Sequence, residues 1–189
     1  MVIAHPLPIM GGTMDNKVVH TVSRAFVQAG WRSVRFNFRG VGRSDGVWDH
    51  GQGEVDDMRA VLADAQTDLA LRDKPLALAG FSFGGFVAAT VHARLTESMS
   101  AGGRVPDQLV LVSPATSRYN VPAVPMHALV VEGEEDDVVP LSSILDWARP
   151  QGLPVTVVPG TGHFFHGQLA MLRELVSRHL RAAGTARSR

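Results

Sequence analysis

The chain has no cysteine. That excludes a disulfide scaffold, a thiolate nucleophile and any zinc site built on thiolates. It also lacks an excess of either charge, because 18 basic and 18 acidic residues cancel. A neutral chain offers no electrostatic grip on nucleic acid or on an anionic membrane. No apolar run approaches the roughly 18 residues of a membrane span. The opening Met1-Val2-Ile3-Ala4-His5-Pro6 has neither the basic start nor the long apolar stretch of a signal peptide. Internal repeats are missing, and no compositional shift marks a second domain. These absences predict a soluble, cytoplasmic protein with a single domain over residues 1–182 and a disordered tail over 183–189.

What is present is an alternation of short apolar runs with longer amphipathic stretches. Val2 to Ala4, Ser33 to Phe38, Leu76 to Ala79, Gln108 to Val112, Ala128 to Glu132 and Val155 to Val158 read as strands. Helical spacing falls over Asp15 to Ala29, Glu54 to Leu71, Phe83 to Leu95, Ser142 to Trp147 and Phe164 to Arg181. Near-continuous apolar strands separated by helices predict an α/β fold. This is a three-layer sandwich around a mainly parallel sheet of about six strands, covered on both faces.

One turn carries a chemical signal. Gly80-Phe81-Ser82-Phe83-Gly84 fits G-x-S-x-G, with the strand Leu76-Ala77-Leu78-Ala79 before it and the start of a helix after it. Strand, sharp turn and helix are the setting in which a serine hydroxyl is thrust out of a sheet edge as a nucleophile. The plainer alternative is a serine capping a helix after a glycine turn. A serine needs a base, and the base needs an orienting carboxylate. Both are expected where parallel strands end at their carboxyl edge. After one strand comes Gly133-Glu134-Glu135-Asp136-Asp137-Val138-Val139-Pro140. Asp136 is the chosen acid, Asp137 its nearest rival, and Glu134 and Glu135 solvated bystanders. After the last strand comes Pro159-Gly160-Thr161-Gly162-His163-Phe164-Phe165-His166, in which His163 is the chosen base ahead of His166.

Acyl transfer also needs amides aimed at an oxyanion. The Phe83 amide, just after the serine, is one candidate. Leu7 is the other, because its neighbours Pro6 and Pro8 have no N–H. His5, Arg39 and Phe164 are the residues expected to touch substrate. The loop holding Arg39, Arg43, Ser44 and Asp45 has the alternative of serving only its own hydrogen bonds. Its glycines do not form the G-x-x-x-x-G-K-[ST] run of a phosphate loop.

The residues as a set resemble the α/β-hydrolase superfamily, especially its small, lidless bacterial members related to dienelactone hydrolases. The likeness runs through His5-Pro6, Gly11-Gly12-Thr13-Met14-Asp15-Asn16-Lys17 and Arg35-Phe36-Asn37-Phe38-Arg39-Gly40-Val41-Gly42-Arg43-Ser44. It continues through the serine turn, Gly133 with Asp136 and Val139-Pro140, and Gly162-His163-Phe164-Phe165. The resemblance implies hydrolysis of an ester-like bond of a small molecule by Ser82, His163 and Asp136, with no cofactor and no metal. Such relatives usually carry one or two strands before the His-Pro loop, and dienelactone hydrolases proper use cysteine where this chain has Ser82. The segment Ser113 to Pro125 is too short for a cap domain, so an open site is expected. The expected state is a monomer or homodimer. A thioesterase, a peptidase and a non-catalytic binding protein of the same fold are the competing readings.

Overall fold

The computed structural model of the chain describes residues 1–68, 70, 73–98 and 104–186. Six strands form one sheet: β1 (Val2–Ala4), β2 (Val34–Arg35), β3 (Ala77–Phe81), β4 (Gln108–Val112), β5 (Leu129–Gly133) and β6 (Thr156–Val158). Five helices join them: α1 (Lys17–Gln28), α2 (Gln52–Thr67), α3 (Phe83–Glu97), α4 (Leu141–Ala148) and α5 (Leu169–Ala186). The spatial order is β2-β1-β3-β4-β5-β6, and every neighbouring pair is parallel. The chain leaves β1 for β2 on one side and returns to β3 on the other. This places a topological switch between the carboxyl ends of β1 and β3, where open α/β sheets form their crevices.

Strand alternation divides the core into two layers. Ile3, Ala77, Ala79, Phe81, Val110 and Val112 face α1 and α5, meeting Val22, Phe26, Leu172 and Val176. Val2, Ala4, Leu78, Leu109, Leu111 and Val130 face the opposite way, onto Val55 and Met58 of α2, Val87 and Val91 of α3, and Ile144 of α4. Helix α1 starts where the Asn16 side chain accepts from the amides of Val18 and Val19, at 2.8 and 3.5 Å. At α2 the buried Glu54 carboxylate accepts from the amides of Asp49 (2.9 Å) and Gly51 (2.7 Å), closing the first turn.

Two elements differ most from the reading of the sequence. Strand β2 is two residues long rather than six, because the Phe38 amide donates to a side chain, His5 Nε2 at 3.1 Å, which holds the segment beyond Arg35 out of the ladder. Helix α5 begins at Leu169 rather than Phe164, since Phe165 (φ 53°) and Gly167 (φ 75°) turn left-handed and interrupt a helical path. The same helix continues to Ala186, so residues 183–186 are helical rather than a disordered tail. Residues 187–189 lie outside those described.

The turn after β3 is tightly clamped. A Cβ on Gly84 would stand 2.3 Å from the Ala4 carbonyl oxygen and 2.6 Å from that of His5, both backbone atoms of the β1 end. Neither wall can rotate away. Gly84→Ala is therefore expected to cost at least about 3 kcal/mol, at or beyond the usual range for overpacking. Gly184→Ala, on the open surface of α5, meets nothing within 4 Å and is expected to be neutral or slightly stabilising. Thermal melts of the two variants check this. Equal stability would show that β1 yields to the turn.

Candidate active site

Ser82 sits between β3 and α3 at φ 56° and ψ −119°, a left-handed backbone that serine seldom adopts. The turn is locked from both sides. Its amide donates to Val112 of β4 at 2.9 Å, and its carbonyl accepts from Gly85 (2.8 Å), Phe86 (3.3 Å) and Ala115 (3.2 Å). The hydroxyl meets His163 Nε2 at 3.0 Å. On the other side of the ring, Nδ1 lies 2.6 Å from Asp136 Oδ2. Ser82, Asp136 and His163 are all buried, arriving from three separate strand ends. The His163 ring packs against Phe81 at 4.8 Å and against Phe164 at 5.1 Å, which limits its rotation.

Asp136 is prepared for charge. Its Oδ1 accepts from the amides of Val138 (2.9 Å) and Val139 (2.7 Å). Burial opposes ionisation, but hydrogen bonds from His163, Glu132 and the Val139 amide outweigh it and hold this carboxyl below the ordinary aspartate range. With Asp136 ionised, His163 Nδ1 carries the proton and donates to it. Nε2 is then free to accept from the Ser82 hydroxyl. The acid loop and the histidine loop touch at backbone level, since a Cβ on Gly133 would lie 2.3 Å from the Thr161 carbonyl oxygen. The rivals stand apart: Asp137, Glu135 and His166 are exposed, and Glu134 Oε2 accepts from the Gly160 amide at 2.9 Å.

Phe83 is the first residue of α3, so its amide has no acceptor within the helix and lies at the positive end of the dipole. Leu7 follows β1, and its carbonyl accepts from Met10 (3.1 Å) and Gly12 (3.0 Å), which makes a compact turn. Phe164 is exposed next to His163.

Two expected substrate contacts are corrected. His5 is fully buried, with Nδ1 donating to the Pro6 carbonyl (2.6 Å) and Nε2 accepting from the Phe38 amide (3.1 Å). Its ring lies against Phe38 at 4.6 Å, and it joins two loops rather than facing a ligand. Arg39 is committed to α2, donating to Asp57 through Nε (3.1 Å) and Nη2 (2.7 Å), while its own amide also bonds Asp57 at 2.9 Å. Ser44 likewise donates to the Asn37 carbonyl at 2.9 Å.

Residues not singled out in the sequence complete the surroundings. Trp48 (5.0 Å) and Tyr119 (5.3 Å) both pack on Phe83, and Tyr119 stacks on Phe86 at 4.7 Å. No spacing signal marks them, because they come from irregular loops. Glu132, the last side chain of β5, is fully buried. Its Oε1 accepts from Ser113 Oγ and the Gly133 amide, both at 3.0 Å. Burial, then the hydrogen bond and charge of Asp136, push its carboxyl up to about 9. The legible signal was a carboxylate closing the otherwise apolar run Ala128-Leu129-Val130-Val131. A separate cavity of about 720 Å³ opens at the amino end of the sheet, among Met1, Trp31, Leu76 and Leu180. It is remote from the serine, and the converging hydrogen-bonded groups, rather than volume, mark the candidate site.

Comparison with known proteins agrees with this architecture. A family model described as serine aminopeptidase, S33, matches residues 9–133. A lidless α/β serine hydrolase from Xanthomonas campestris is 37% identical, with a TM-score of 0.85 over 96% of this chain and 80% of that one. An α/β serine hydrolase homologue from Coxiella burnetii is 40% identical, with a TM-score of 0.78 over 95% of this chain and 83% of that one. An uncharacterised protein of Rickettsia prowazekii is 27% identical over 94% of this chain and 76% of its own length.

The buried His5 has a measurable consequence. Burial lowers its pKa to about 4 against an ordinary 6.5, with the Pro6 carbonyl opposing. Between those values the unfolded chain binds a proton that the native state refuses. The contribution is therefore whole above pH 6.5 and is lost as pH falls towards 4, by about 3 kcal/mol. His5→Ala is expected to be less stable at pH 7.5, having orphaned the Phe38 amide, and to show a flatter loss on acidification. Melting curves across that range check it. Parallel slopes would place the acid sensitivity elsewhere.

Proposed function

We propose, for a chain that belongs to the serine aminopeptidase S33 family of α/β-hydrolases and is a hydrolase, that it cleaves an ester-type bond through Ser82, His163 and Asp136. The observation that carries this reading is the continuous chain of short contacts, Ser82 Oγ to His163 Nε2 at 3.0 Å and His163 Nδ1 to Asp136 Oδ2 at 2.6 Å. As Ser82 Oγ attacks the carbonyl carbon, its proton passes to Nε2. Asp136 stabilises the imidazolium that forms and keeps Nδ1 as the donor. The new oxyanion is met by the Phe83 amide and by Leu7 on the adjoining turn. His163 then returns the proton to the departing alcohol, leaving an acyl-serine. Water, deprotonated by the same ring, hydrolyses it and restores Ser82. The chemistry calls for no metal and no organic cofactor.

Within this reading a small apolar acyl ester is the favoured substrate, on the chemistry of the mouth. Exposed apolar side chains come from loops that follow four different strands: Ile9 and Met10 after β1, Val47 after β2, Val138 after β5 and Phe164 after β6. Loops at the carboxyl ends of parallel strands share one edge of the sheet. The family description favours a second reading, a peptidase on the same three residues.

A fluorophosphonate is expected to label Ser82, located by mass spectrometry, and p-nitrophenyl acyl esters to be turned over. Ser82→Ala should abolish labelling and lower turnover on the order of a millionfold. Asp136→Asn, which favours the wrong tautomer, should lower it on the order of ten-thousandfold. Faster cleavage of aminoacyl p-nitroanilides than of esters would select the peptidase. A folded protein that neither labels nor hydrolyses would leave a binding role.

A further inference from the structure

The hydrogen-bonded chain does not end at Asp136. Glu132, four residues earlier, is fully buried, and its two oxygens are treated differently. Oε1 takes both available donors, the Ser113 hydroxyl and the Gly133 amide. Oε2 is buried with no donor to accept from among the described residues. The carboxyl that bears on Glu132 is that of Asp136, whose hydrogen-bonding capacity and charge both favour a proton on Glu132. Two carboxylates cannot bond each other without a proton between them, and Asp136 already accepts from two amides and from His163. The proton therefore belongs to Glu132, on the oxygen that has no donor.

We propose that Glu132 is a neutral carboxylic acid in the working protein and a positioning residue that donates from Oε2 to Asp136, extending the relay to Ser113–Glu132–Asp136–His163–Ser82. This rests on the reading of Ser82, His163 and Asp136 given above. The groups that set the charge of Glu132 are Asp136 on the loop after β5, Ser113 at the end of β4, the Gly133 amide and, through Asp136, His163 on the loop after β6. Burial is the largest influence, and the negative charge of Asp136 acts in the same direction. Ser113 is itself held at φ 42°, with its amide bonded to the Val131 carbonyl at 2.9 Å, so its hydroxyl is fixed on Oε1 by the backbone. The acid acts on the ring only through Asp136, whose second oxygen it leaves aligned on Nδ1. It has no contact with the Ser82 hydroxyl.

The sign of the pH effect follows. Below about pH 9 Glu132 keeps its proton and donates. Above it, a second negative charge appears against Asp136, the two carboxylates repel, and the ring loses its support. Wild-type kcat/KM is therefore expected to fall on an alkaline limb near pH 9. Glu132→Gln keeps a donor in the same place, with its amide oxygen still able to accept from Ser113 and Gly133. It should retain near wild-type activity at pH 7.5 and lose the alkaline limb. Glu132→Leu removes the donor and should lower kcat roughly ten- to a hundredfold, the worth of a hydrogen bond to a charged group. An infrared spectrum at neutral pH is expected to show a carboxylic-acid C=O stretch in the wild type and in Ser82→Ala, and none in Glu132→Gln. A missing band overturns the proposal. So does an alkaline limb that persists in Glu132→Gln, or a Gln variant as impaired as the Leu one. If Glu132→Leu fails to fold, the Gln variant and the band decide. Because the band is independent of turnover, failure of the hydrolase reading shows as a present band with no fluorophosphonate adduct. Failure of the acid shows as an adduct with no band.

Discussion

The structure depends on holding one serine in a backbone conformation that serine disfavours. The cost at Ser82 is of the order of 1–3 kcal/mol, and it is met by fixing everything around the turn. The β1 end lies against Gly84 too closely for any side chain, β4 accepts the Ser82 amide, and the loop after β4 donates back through Ala115. Strands β1 and β4 flank β3 on either side. The switch in strand order between β1 and β3 opens the crevice, and the clamped turn fills its floor with a hydroxyl. A slacker turn would relax Ser82 towards ordinary helix-start geometry and withdraw the hydroxyl from His163.

The remaining two groups are placed by the same economy of backbone contact. The acid loop meets the histidine loop at Gly133 and Thr161, and Glu135 donates its amide to the Thr161 carbonyl at 2.9 Å. Asp136 then has its charge favoured by two amides of its own loop, while the ring packs against both Phe81 and Phe164. Side-chain order thus follows from loop order. Orientation within a few tenths of an ångström is what such chemistry demands, and rigid strand ends supply it better than long loops do.

Much of this was legible in the residues, for reasons that differ from one element to the next. The serine turn could be read because its sterics demand glycine at fixed offsets beside a strand and a helix. Asp136 and His163 could be read because parallel strands deliver their carboxyl ends to one edge. The choice of Asp136 over Asp137 could not be made from spacing. It depends on which of two adjacent side chains turns inward, and the amides of Val138 and Val139 decide that. His5 and Arg39 illustrate the opposite failure. Both lie in loops at the right edge, and a polar residue at that edge reads as a ligand contact. The Phe38 amide and the Asp57 carboxylate, far away in sequence, claim them instead. The short β2 has the same origin, since a side chain takes the amide that a ladder would have used.

No cap domain is formed among the described residues, yet the charged groups of the candidate site are dry. Ser82 is 7% exposed and His163 4%, while Glu132 at the far end of the relay is wholly buried. An open mouth and a dry relay coexist because the groups descend in depth along the carboxyl edge of the sheet. The Ser82 hydroxyl lies nearest the surface, and the Glu132 carboxyl lies deepest, at the end of β5. Enzymes that close a lid exclude water from the reacting bond itself. Here exclusion is built into the supporting end, where a low dielectric strengthens the bond between Asp136 and His163 and forbids a second charge on Glu132. At the other end, apolar side chains such as Ile9, Met10 and Phe164 stand exposed. Charge control in such an arrangement falls to the buried acids, which lie away from the exposed apolar side chains.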